Sequence, residues 1–163
     1  MNISEINKSN IDKIEFKSIN PVEYPERRNQ SFRLKESDYK LLPEEQNRRQ
    51  ADLRIKIIEL FEEKLDNKFT NVEEVCDIER SLFSKYVKGR TNLSKSSIIK
   101  FALGLKLSPE ETLEMLSMNG TALDYDCRFD YICMCAIRDK DELEDLNDEL
   151  ISHGCIGIIK ERE

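Results

Sequence analysis

The chain has 163 residues, of which 36% are charged and 39% belong to the hydrophobic set. That is the size of one domain, or one domain with a tail, with apolar material for a single core. A formal net charge of −7, one His and no Trp argue against histidine-triad catalysis and multi-histidine metal sites, and at first sight against nucleic acid.

Residues 1–50 differ from the rest. Asn, Lys, Glu and Ser are frequent, Pro21, Pro25 and Pro43 interrupt any long helix, and apolar residues such as Ile6, Ile14, Phe16 and Leu34 are scattered. The segment is expected to be a mostly irregular N-terminal tail, with a helical domain at 51–163. A helical period sets in near residue 44, where Leu53, Ile57, Leu60, Phe61 and Leu65 fall on one stripe and Asp66-Asn67 ends it. Asn71 then opens a short helix, with Glu74 three residues on as the partner of a capping box. Val72 and Val75 are expected to face inward, and the helix breaks near Asp77.

A second helix follows over residues 79–88. Leu82, Phe83, Tyr86 and Val87 cover one face; Ser81, Ser84, Lys85 and Lys88 cover the other, with Arg80 at its edge. Gly89 suits a left-handed C′ position. Ser94 caps the next helix, residues 95–105, whose inner face is Ile98, Ile99, Phe101, Ala102 and Leu105, with Lys100 pointing away. Gly104 inside that pattern costs about 1 kcal/mol relative to Ala, which close approach of another helix would explain. Ser108-Pro109-Glu110-Glu111 is a strong helix start, anchored by Leu113 and Leu116 and stopped at Asn119-Gly120. Two more helices complete the pattern. Phe129, Ile132, Cys133, Ala136 and Ile137 share a face of the first; Leu143, Leu146, Leu150 and Ile151 share a face of the second, residues 141–152. Gly154 and Gly157 end regular structure. No run alternates as strands do, so the fold class is all-α.

Charge is unevenly spread. Residues 1–50 carry ten Lys/Arg against nine Asp/Glu, residues 51–120 eleven against twelve, and residues 121–163 five against twelve. From Arg80 to Lys106 there are seven basic residues and no acidic one. With a Debye length of about 8 Å at physiological salt, such a patch acts locally despite a distant acidic end. A short helix, a tight turn, an amphipathic second helix with a polar outer face and a packing helix form the helix-turn-helix order. The outer face of the second helix can enter a major groove. There Arg bonds guanine O6 and N7 in a bidentate manner, Ser serves either base type, and nearby lysines neutralise phosphates.

Residues 77–111 resemble the lambda-repressor/Cro-type helix-turn-helix domain. The resemblance rests on Ile78, Arg80-Ser81, Phe83-Ser84-Lys85-Tyr86, Gly89, Ile98, Phe101-Ala102, Leu105 and Leu107-Ser108. Residues 51–159 are similar to a divergent Firmicutes form of that domain, often found C-terminal to macro-type or other effector domains. The run from Ile78 to Lys85, Phe101-Ala102-Leu103-Gly104-Leu105 and Asn119-Gly120 carry that likeness. So do Phe129-Asp130 and the stretch from Leu146 to Gly157. The resemblance implies a repressor-like five-helix core with extra C-terminal helices, a bracing helix at 71–76 and a recognition helix at 79–87. It implies Arg80, Ser81, Ser84 and Lys85 as base-facing residues and Lys88, Arg90 and Lys95 as backbone contacts. The expected function is sequence-specific binding of double-stranded DNA by a prokaryotic or phage transcriptional regulator. Such modules often dimerise to read two half-sites. The alternative is a non-enzymatic adaptor that keeps the fold without binding DNA, with a protein partner at the helix-turn-helix surface or at the acidic C-terminal helices.

Other chemistry finds little support. Cys127, Cys133, Cys135 and Cys155 lack the paired spacing of structural zinc ligands, and Cys133 and Cys135 point about 200° apart on a helix. No metal, no cofactor and no catalytic residue is expected. Ser81 and Ser84 have no nearby His base, and Gly154-Cys155-Ile156-Gly157 lacks the strand and helix of a dinucleotide fingerprint. Asp139, Asp141, Glu142, Glu144, Asp145, Asp148 and Glu149 read as a solvated face, and His153 as a C-terminal residue favoured by the helix dipole. No apolar run reaches the roughly 20 residues of a membrane span, the N-terminus lacks an apolar signal core, and five cysteines suit reduced thiols. A cytoplasmic location is therefore expected.

Overall fold

The computed structural model describes residues 36–160, with side chains from residue 43 onward. Among the described residues there are seven helices and no strand: α1 (Glu36–Lys64), α2 (Phe69–Cys76), α3 (Arg80–Val87), α4 (Lys95–Gly104), α5 (Pro109–Met118), α6 (Arg128–Asp139) and α7 (Leu143–Ser152). No described helix is long and apolar enough to cross a membrane.

The first helix departs from expectation. It begins at Glu36 and continues through Pro43, so it starts about eight residues before the helical period expected from near residue 44, inside the segment expected to be mostly irregular. Pro43 is exposed and forfeits a single backbone hydrogen bond, a loss the helix absorbs. Pro21, Pro25 and the remainder of the expected tail lie outside the described residues. The predicted stripe is correct: Leu53, Ile57, Phe61 and Leu65 are buried and Leu60 packs beside them. The end is correct as well, for Asp66 and Asn67 both take positive φ.

Phe69 starts α2 two residues before the expected cap. Lys68 is the N-cap and offers no side-chain hydrogen bond. Asn71 lies inside the helix, where its amide donates to the Leu65 carbonyl at 2.9 Å, so there is no capping box at Asn71. Val72 and Cys76, four apart, fill the buried face. Val75 does not face inward; it is 42% exposed. A three-residue turn, Asp77-Ile78-Glu79, leads into α3. Asp77 takes the left-handed conformation at φ 54°, which short polar side chains tolerate better than most. Ile78 is buried beneath the turn.

In α3, Phe83 and Tyr86 are fully buried. Phe83 is the hub of an aromatic group, with ring centroids 5.0 Å from Phe61, 6.0 Å from Phe69 and Phe101, and 6.1 Å from Tyr86. Three aromatic contacts thereby tie α1, α2 and α4 to α3. Its C-terminus closes as a Schellman motif: Gly89 (φ 76°) donates to the Tyr86 carbonyl at 3.0 Å and Arg90 to that of Lys85 at 2.9 Å.

Helix α4 is the centre of the bundle and packs against α2, α5, α6 and α7. Ser94 caps it by accepting from the Ser97 amide at 3.1 Å. Lys100, expected to point outward, is instead 7% exposed. Its ammonium donates to the Asp77 carbonyl at 2.8 Å and the Asp77 carboxylate at 3.2 Å. Gly104 has the reason anticipated for it: a Cβ there would sit 2.7 Å from the Val75 carbonyl and 2.9 Å from Cys76 Sγ. Only glycine lets α4 come this close to the end of α2.

Ser108 caps α5 by accepting from the Glu111 amide at 3.1 Å. Helices α6 and α7 cover the far side. Ile132, Cys133, Ala136 and Ile137 join the main core, as do Leu143, Leu146 and Leu150, but Ile151 is 55% exposed rather than inward. Residues 155–160 then run back across the bundle, with Ile158 buried.

Candidate nucleic-acid interface

Ser81, Lys85, Lys88 and Arg90 are exposed along α3 and the loop after it, and Ser84 is half-buried between them. Lys85, Lys88 and Arg90 make no ion pair among the described residues. These five residues form one polar, cationic surface, because Phe83 and Tyr86 fix the opposite side of the helix in the core.

Arg80 stands at the beginning of this face with a local counter-ion. Its Nε lies 2.6 Å from Glu73 Oε2, and its side chain stays exposed. Lys95, expected as a backbone contact, is held in an ion pair within the bundle. Its Nζ donates to Asp130 Oδ1 at 2.8 Å. Asp130 is 3% exposed, and its other oxygen accepts from the Asp124 amide at 2.9 Å. A carboxylate this deeply buried requires a cation and hydrogen-bond donors, and Lys95 supplies the cation, joining α4 to α6. Lys100 and Lys106, the other two cations of the basic run, are held by Asp77 and by Glu142 (2.7 Å).

Two further cations belong to this region and were not among the expected site residues. Arg54 of α1 donates from Nε to the Tyr86 carbonyl at 2.8 Å, and its guanidinium lies 5.1 Å from the Tyr86 ring centroid. It therefore sits at the C-terminus of α3, where the helix dipole favours positive charge. Burial pushes the Tyr86 phenol up to about 12 against the opposing influence of Arg54, so Tyr86 stays neutral and anchors α3. Lys160, from the C-terminal segment, reaches Glu79 Oε1 at 2.8 Å. No local pattern announces either residue: Arg54 is 32 positions from Tyr86 and Lys160 is 81 from Glu79.

Among the described residues no group of three or more His, Cys, Asp or Glu is placed to hold a metal ion, and all five cysteines are free. His153 is the C-cap residue of α7. The chain matches no protein-family model, no curated protein and no solved structure.

Proposed function

We propose that the chain is a sequence-specific DNA-binding protein, a cytoplasmic transcriptional regulator that lays α3 in the major groove. In this reading α1–α5 are a repressor-like helix-turn-helix core and α6 and α7 are additions to it. Two eight-residue helices joined by a three-residue turn have the dimensions such a motif needs. The observation that carries the reading is the outer surface of α3, where Ser81, Ser84, Lys85 and Lys88 are joined by Arg90 without a paired carboxylate on the three cations. Arg80 and the two serines are the candidates for base edges; Lys85, Lys88 and Arg90 are those for phosphates. Lys95 is structural in this reading, since Asp130 already holds it.

The test is anisotropy with a labelled duplex pool of mixed sequence across a salt series. Three or four neutralised phosphates give a log–log salt slope of about −3. Lys85→Glu with Lys88→Glu removes most of the binding at low salt and flattens the slope, with helicity unchanged by circular dichroism. Equal binding by that variant removes the role of α3.

The adaptor reading has one observation in its favour. On α7 the exposed acids Glu144 and Asp148 share a stripe with Ile151, and Ile156 beyond it is 88% exposed. Acidic charge around exposed isoleucines suits a basic segment with an apolar anchor. Under that reading Ile151→Ser with Ile156→Ser abolishes capture of such a partner, and the duplex pool is not retained even at low salt.

A further inference from the structure

Residues 157–160 form a strap that reaches the turn between α2 and α3. Asn147 of α7 holds its middle: Asn147 Oδ1 accepts from the Ile159 amide at 3.0 Å, and a Cβ on Gly157 would lie 2.5 Å from the same oxygen. Ile158 is buried in the main core. The strap then reaches Asp77, whose carboxylate accepts from the Lys160 amide at 3.1 Å while also holding the buried Lys100. Finally the Lys160 ammonium meets Glu79 at 2.8 Å. Glu79 is the N-cap residue of α3, directly before Arg80.

That location matters because the N-terminal residues of a recognition helix are those that approach the bases. A carboxylate there favours the helix dipole but repels the phosphates on either side of the groove. We propose that Lys160 is a positioning residue for DNA binding: the strap carries its ammonium to Glu79 and answers that carboxylate at the leading end of α3, as Arg80 answers Glu73. The C-terminal segment is thereby part of the DNA-binding apparatus, although it lies 81 residues from the helix it serves. The inference rests on the DNA-binding reading above. As an exposed ion pair it adds little to stability, so its effect appears in binding.

The experiment compares the full-length chain with Lys160→Gln, Glu79→Gln and the double variant, using the mixed-sequence duplex pool at 50 and 200 mM NaCl. Lys85→Glu serves as the control for the helix face. Lys160→Gln is expected to weaken binding by about 3- to 10-fold at the lower salt and by less at the higher, as screening requires. Glu79→Gln binds at least as well as the parent. The double variant returns to within about twofold of the parent, because removing the carboxylate removes the need for its counter-charge. A merely structural strap would leave the double variant as weak as Lys160→Gln, and that result overturns the proposal. Parent-like binding by Lys160→Gln while Lys85→Glu is weakened also overturns it, and leaves the DNA-binding reading standing. No binding by the parent at either salt overturns both.

Discussion

Burial disfavours the thiolate at Cys76 and Cys135, and their thiols are pushed up to about 12 and about 11. Cys133 is pushed up too, by burial first and then by the neighbouring Asp130. A raised thiol pKa leaves the group protonated and unreactive in the neutral range. Cys127 is exposed and Cys155 half-buried. At pH 8 a thiol-specific chromogenic reagent is therefore expected to titrate Cys127 fastest and Cys155 next. Cys76, Cys133 and Cys135 should react only at the rate of unfolding. Five thiols reacting together in the native protein would contradict the burial that defines α6. At this same scale the lysines mark where sequence reasoning stops. Lys100 occupies an outward angle by helical period, yet it is buried, because α4 has neighbours on several sides and has no solvent face there. Lys95 is likewise claimed by Asp130. Period reports the angle of a side chain; it does not report which acid, 35 residues away, will need that cation.

Helix ends were the most legible elements, because their chemistry is local. Ser94, Ser108, Asp66-Asn67 and Gly89 each act where their residue types suggest. Asn71 did not cap, since Leu65 offers its amide a carbonyl six residues back and the helix gains two residues, Phe69 and Thr70, in front of it. Pro43 also misled, because one exposed proline weakens a helix without ending it. Gly104 gives the sharpest test of how elements pack. Gly104→Ala gains about 1 kcal/mol of helix propensity, but it drives a methyl to 2.7 Å from the backbone oxygen of Val75. Overpacking of this kind costs about 1–3 kcal/mol, so a net loss is expected. It would be read as a lower urea midpoint at unchanged slope. A midpoint at or above the parent would mean that α2 and α4 stand farther apart than described here.

For the whole molecule, net charge is a poor guide to the surface that matters. The chain carries −7 overall, yet Lys85, Lys88 and Arg90 remain unpaired among the described residues while Glu73 and Glu79 are answered by Arg80 and Lys160. The all-helical class and the amphipathic split of α3 were readable from apolar spacing. The pairing of opposite charges across the bundle was not, because it joins residues from separate helices and from the returning C-terminal strap. In the proposed function the outer side of α3 and the loop after it meet duplex DNA. Backbone amide NMR of the ¹⁵N-labelled full chain, titrated with a mixed-sequence duplex at low salt, tests it directly. The largest shift changes are expected between residues 80 and 90. Changes centred on α7 and residues 151–156, or no changes at all, would contradict it.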